Sequence, residues 1–147
     1  MTSPFPHNYE LALHWKGGPT GALLAAPREP IEVGKPPQFD GGDGWWSPEH
    51  LLIASAASCL MATYLSMAQR QALKLMSYRC QAEGSLDKAP DGFRIVAIRL
   101  IVSVEAKRED QERAERLLET AKKYCPIANS LKAPVVLEIR PRTAASH

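Results

Sequence analysis

The stretch SPEHLLIASAASCL, Ser47 to Leu60, decides how the chain folds. Ser47 is a good helix N-cap, Pro48 suits the first helical position, and Glu49 brings negative charge to the positive end of the helix dipole. Beyond it, Leu51, Ala54, Ala57, Leu60, Met61, Tyr64, Leu65 and Ala68 recur with the helical period, while Ile53, Ala56 and Ala62 cover much of the other face. The pattern predicts a helix from Pro48 to about Ala72 that is buried nearly all round. The small residues from Ala54 to Ser58 let another backbone approach closely, so this helix has neighbours on more than one side, and a dimer partner could be one of them. In its middle sits Cys59, which is either a small core hydrophobe or a nucleophile.

Strand patterns flank the helix. Tyr9 to Trp15 alternates around Leu11 and Leu13, Gly17-Gly18-Pro19 turns the chain, and Gly21 to Ala26 leads out, which together read as a hairpin. Four prolines between Pro27 and Pro37, then Gly41, Gly42 and Gly44, make the next stretch loop apart from a short Ile31 to Val33 strand. After the helix, Leu75 to Leu86 and Phe93 to Glu105 alternate as strands joined through Pro90 and Gly92, with Val96, Ile98, Leu100, Val102 and Val104 on a mostly apolar face. Glu109-Asp110 opens a second, amphipathic helix through Ala114, Leu117, Leu118, Ala121 and Tyr124, which Pro126 stops. Val135 to Arg140 is a last strand. The sum is an α+β chain read as a single domain over 1–147, with residues 1–8 and 141–147 as flexible tails.

Composition narrows the function. The chain has 147 residues, 45% hydrophobic and 23% charged, which suits one soluble domain with a real core. A net charge of +2, with the positive charges scattered, is too mild to argue for nucleic acid. Met1 to Tyr9 holds Pro4 and Pro6 and no apolar h-region, so the cytoplasm is the expected address. Leu51 to Met67 reaches only the lower limit of a membrane span and is interrupted by Ser55, Ser58, Thr63 and Ser66, so a buried helix is expected and no membrane. The three cysteines, Cys59, Cys80 and Cys125, are odd in number and show neither CxxC nor metal-ligand spacing, so no disulfide framework, metal or cofactor is expected.

Thiol chemistry needs thiolate, and an ordinary cysteine with a pKa of about 8.5 is mostly protonated at neutral pH unless a cation or helix N-terminus lowers it. Cys59 lies about three turns into its helix, beyond the reach of the dipole, so a cationic side chain would have to act on it. Cys125 sits differently: Cys-Pro at a helix end belongs to a segment able to move, as a resolving thiol must. Cys80, within Tyr78-Arg79-Cys80-Gln81, reads as structural.

At these residues the chain resembles a known family. SPEHLLIASAASC followed far downstream by KKYCPIANSL is similar to the osmotically inducible protein C and organic hydroperoxide resistance superfamily, and the likeness covers nearly the whole chain. The resemblance implies an OsmC-like α+β fold, with an N-terminal hairpin, C-terminal strands and two long central helices packed together in an entwined homodimer. It also implies thiol-dependent reduction of organic hydroperoxides, with an external dithiol, lipoyl or thioredoxin-like, as reductant. By position, Cys59 is then the peroxidatic cysteine, Cys125 the resolving one and Glu49 the carboxylate that organises the site. One departure stands out: peroxide-reducing members carry an arginine just after a Gly-Gly turn, where this chain has Pro19, so Arg28, or else Lys16, would have to supply the charge. The alternative is a dimeric ligand-binding or redox-responsive protein with little turnover.

Without the resemblance, Glu49 is simply a first-turn acid, Arg28 a loop cation, His14 and His50 structural or exposed, and Trp45-Trp46 either a loop anchor or a pocket wall. Helix geometry adds a constraint on Glu49. Ten residues from Cys59, it lies about 15 Å away along a straight helix, so the two share a site only if the first turn folds back, the helix kinks, or Glu49 reaches the cysteine of a second subunit.

Overall fold

Ser47 caps the central helix as its sequence predicts. In the computed structural model, which describes residues 3–141, Ser47 Oγ accepts the His50 backbone N–H at 3.0 Å, and helix α1 runs unbroken over Pro48–Arg70. Inside this apolar helix Ser55 and Ser58 return their hydroxyls to the carbonyls of Leu52 and Ala54, at 2.6 and 2.8 Å, which satisfies them without a partner from elsewhere. The helix ends at a turn in which Ala72 takes a left-handed conformation (φ 54°). There Leu73 N–H reaches Ala68 O at 2.8 Å and Ala72 N–H reaches Gln69 O at 3.1 Å, the paired bonds of a Schellman cap. By length and composition α1 is the one helix among the described residues long and apolar enough to cross a membrane.

The chain divides into two compact units, Met1–Leu51 and Leu52–His147. In the first, strands β1 (Ala12–Trp15), β2 (Thr20–Leu24) and β3 (Ile31–Gly34) form an antiparallel sheet in chain order, with Leu13 opposite Leu23 and Gly21 opposite Val33. The hairpin between β1 and β2 turns on Gly17 and Gly18, whose φ of 85° and 65° only glycine adopts without strain. Trp45 anchors the loop before α1. Its indole N–H donates to Lys35 O at 3.0 Å, and its ring lies where a Cβ on Gly34 or Gly42 would stand.

In the second unit, strands β4 (Leu75–Ala89) and β5 (Gly92–Ala106) form a long antiparallel hairpin through Pro90-Asp91, and β6 (Val135–Ile139) pairs with β5 in parallel, Leu100 opposite Leu137. Helix α2 (Gln111–Lys123) and the short helix α3 (Pro126–Ser130) supply the crossover that a parallel pairing requires. The hydrophobic core joins Ala56, Leu60, Tyr64 and Ala68 of α1 to Ile98, Leu100, Val102 and Val104 of β5 and Ala114, Leu117, Leu118 and Ala121 of α2. The apolar face of β5 changes parity at a register shift opposite Ser85 and Leu86, where Val96 is the extra residue, so Ile95 packs against the core with the even-numbered residues that follow.

Other details depart from the sequence patterns as well. Both long strands extend beyond their predicted ends to meet at a two-residue turn. Pro126 does not simply end helical structure but opens α3, since proline fits a first helical turn as readily as it closes a preceding one. Within one chain α1 buries a single stripe, while Met61 and Leu65 remain 40% and 42% exposed. Residues 1, 2 and 142–147 of the expected tails lie outside the described residues.

Candidate active site

Cys59 projects from the middle of α1, one residue before the core residue Leu60, and is half-buried. Cys125 occupies the junction between α2 and α3. Pro126 disfavours the helical conformation in the residue before it, and Cys125 is accordingly extended (φ −74°, ψ 110°). The resulting corner turns its side chain inward, where it is 1% exposed.

Cys59 and Cys125 come near each other there. Burial pushes the Cys125 thiol up, and the nearby Cys59 thiol adds to the shift, while the backbone N–H groups of Ala128 and Ile127 oppose it. Cys125 is therefore held as a neutral thiol. Both cysteines are free. A cavity of about 650 Å³ opens on Cys59 and is walled by residues of α1 together with Tyr124 and Pro126; Cys125 does not line it. A small electrophile entering from this cavity meets Cys59 first, with Cys125 behind.

The third thiol, Cys80, lies in β4 against the core, and burial pushes it up as well. Near it the Tyr78 hydroxyl is buried without a hydrogen-bond partner among the described residues. Burial raises this phenol, and the neighbouring Cys80, Tyr64 and Cys125 raise it further.

Glu49 stands in the first turn of α1 with Oε1 buried and without a hydrogen-bond partner among the described residues. Because α1 is helical from Pro48 onward, the first turn does not fold back toward Cys59. Arg28 stays on its own turn, its guanidinium donating to Ala25 O at 3.3 Å. Lys16 is engaged by Glu32 at 2.8 Å, a contact that holds the Glu32 carboxyl below its ordinary value. The cavity brings in a cation that the sequence pattern did not single out: Arg70, on the same wall as Cys59. Its spacing was the available signal, since residues 59, 63, 66 and 70 recur on one helical face. Among the described residues no group of three or more His, Cys, Asp or Glu side chains converges to hold a metal.

A family model described as OsmC-like protein matches residues 41–140 of this chain. The chain belongs to the OsmC-like family. The OsmC-like match includes Glu49, Cys59 and Cys125 and begins after Lys16, Pro19 and Arg28. Among curated relatives, the protein named Peroxiredoxin OsmC from Escherichia coli is 31% identical over 101 residues, covering 69% of this chain and 70% of its own length. The uncharacterized protein YmaD of Bacillus subtilis is 22% identical over 144 residues, 90% of this chain and 92% of that protein. An OsmC-like protein of unknown function from Vibrio cholerae superposes with a TM-score of 0.82 at 22% identity, over 92% of this chain and all (100%) of that one. An organic hydroperoxide resistance protein OsmC from Legionella pneumophila gives 0.73 at 23% identity over 94% of this chain and 100% of its own. These structural likenesses establish the OsmC-like α+β fold.

Proposed function

We propose that this OsmC-like chain is a thiol-dependent peroxidase that reduces organic hydroperoxides to alcohols. The observation that carries the reading is the proximity of two free thiols of which only Cys59 opens onto the cavity. The Cys59 thiolate attacks one peroxide oxygen, the O–O bond breaks, and an S–O bond forms. The alkoxide leaves and takes a proton to become the alcohol, and Cys59 is oxidised to the sulfenic acid. Cys125 then attacks the Cys59 sulfur, displacing the oxygen as water and closing a disulfide, which an external dithiol of lipoyl or thioredoxin-like type reduces by exchange. The wall of Met67 and Tyr124 suits an apolar alkyl group.

The working unit in this reading is a homodimer in the reducing cytoplasm. Exposed Met61 and Leu65 on α1, with Leu13 and Trp15 on β1, call for a cover that one chain does not provide. Glu49 acts across the dimer. A paired antiparallel α1 brings the start of one helix near the middle of its partner, which its unbroken helix denies it within one chain. The partner also supplies the polar contact that the buried Glu49 Oε1 lacks.

A second reading, a dimeric ligand-binding or redox-responsive protein with little turnover, is favoured by Pro19 standing where peroxide-reducing relatives carry arginine, by Arg28 held on its own turn and by Lys16 paired with Glu32. The two separate when reduced protein is mixed anaerobically with cumene hydroperoxide and thiols are counted before and after. The peroxidase loses two of its three thiols, and peptide mapping finds Cys59 joined to Cys125 with Cys80 free. Unchanged thiols, or a disulfide through Cys80, exclude it.

A further inference from the structure

The cavity that opens on Cys59 has a charged far end. Along its α1 wall stand Cys59, Thr63, Ser66 and Arg70, with Met67 and Tyr124 completing the apolar part. Arg70 leans back along the helix, as long helical side chains do, and donates from its guanidinium to Ser66 Oγ at 3.3 Å. It makes no ion pair with a carboxylate among the described residues, and none of the residues lining the cavity is acidic. A second cation stands close by, Lys123 Nζ at 5.7 Å from the Tyr124 ring centroid.

Ser66, over which the guanidinium rests, lies seven residues beyond Cys59, about 10 Å along the helix axis. That span is too long for a hydrogen bond to the sulfur and is comparable with the screening length at cellular salt, so Arg70 is poorly placed to activate the thiol. It is well placed to hold the other end of a molecule whose reactive end lies at Cys59. A guanidinium is permanently charged and pairs with a carboxylate through two parallel N–H donors. The volume of about 650 Å³ accommodates an alkyl chain between the two points.

We propose that Arg70 is a specificity-determining residue, anchoring the terminal carboxylate of an alkyl hydroperoxide whose O–O bond lies against Cys59. The inference rests on the peroxidase reading for its substrate, and the anchor takes no part in the bond changes. Its site on the protein is nevertheless testable without turnover.

Two measurements on wild type and Arg70→Gln decide it. In the first, kcat/KM is compared for a linear hydroperoxide carrying a terminal carboxylate and for its methyl ester. Wild type prefers the acid by about tenfold, the size of a charge-assisted hydrogen bond, and Arg70→Gln brings the ratio near one. Each ratio is internal to one protein, so a general loss of activity cancels. In the second, dodecanoate, which carries no peroxide, is titrated calorimetrically into Cys59→Ser and Cys59→Ser/Arg70→Gln chains. Binding weakens about tenfold on loss of the guanidinium. If no hydroperoxide is reduced but dodecanoate binding depends on Arg70, the anchor stands and the peroxidase reading falls. An acid-to-ester ratio unchanged by Arg70→Gln, or dodecanoate binding equal in the two chains, overturns the proposal.

Discussion

Tyr64 and Tyr78 pack ring against ring, with centroids 5.5 Å apart, yet their hydroxyls meet different fates. Tyr64 donates to Ala114 O at 2.8 Å and thereby ties α1 to α2. Tyr78 has no hydrogen-bond partner among the described residues. Tyr64→Phe should therefore cost about 1–2 kcal/mol, because it removes a buried hydrogen bond between α1 and α2, whereas Tyr78→Phe should be neutral or stabilise by up to about 1 kcal/mol. Urea unfolding of the two variants reads the difference, and equal losses would contradict it. The same burial sets a pH dependence. Burial pushes Tyr64 up to about 12 and raises Tyr78, Cys80 and Cys125. In each case the native chain keeps a proton that the unfolded chain releases, so the stabilisation is complete below the ordinary thiol value of about 8.5 and is lost as pH rises through the shifted values. The urea midpoint should hold from pH 7 to about 8.5 and then fall, first through the thiols and from about pH 10 through the phenols as well. A midpoint constant up to pH 11 would refute this assignment.

At the level of elements, α1 lies so close to β4 that Ile53 fills the space a side chain at Gly84 would need. Gly84→Val should destabilise the protein by about 1–3 kcal/mol through overpacking, and Ile53→Ala should restore part of that loss in the double variant. Additive effects in thermal unfolding would show that the two positions do not share the gap. The end of α1 offers a gain instead of a loss. Ala72 holds a left-handed conformation that costs an L-residue about 1–2 kcal/mol, so Ala72→Gly should raise stability by up to about 1 kcal/mol after the added chain entropy of glycine. Both features were poorly legible in the sequence. Gly84 sits inside a strand pattern, and which atom approaches it depends on how α1 crosses the sheet. Ala72 carries no turn signature, and the apolar period continues smoothly into it until the paired bonds of the cap stop the helix.

For the whole molecule, the proposed dimer joins an exposed face of α1 to a site that one chain leaves incomplete. Leu65→Glu should convert the protein to monomer in sedimentation at micromolar concentration, since it places a charge in the proposed contact. A stable, folded wild-type monomer under the same conditions would sink the dimer itself. Mixing a Glu49→Ala chain with a Cys59→Ala chain should restore one working site per heterodimer if Glu49 serves the partner's cysteine. Heterodimers no more active than their parents, both confirmed folded, would remove the cross-subunit route.

Local chemistry determined a great deal of this protein from sequence alone. The Ser47-Pro48-Glu49 cap, the helical period from Leu51 to Ala68, the alternation of the two long strands and the Gly17-Gly18 turn are each settled by backbone sterics and by which face must be dry, over distances of a few residues. Cys59 and Cys125 could be singled out for the same reason, by their places in a helix and before a proline. That they lie near each other was decided only by tertiary structure, because it depends on α1 and the α2–α3 corner packing against the same sheet. So was the choice of thiol facing the cavity, since burial is a property of neighbours distant in sequence. Arg70 belongs to the same class. Its position on the helical face follows from counting, but its place at the end of a cavity exists only because Tyr124 and Pro126 form the opposite wall.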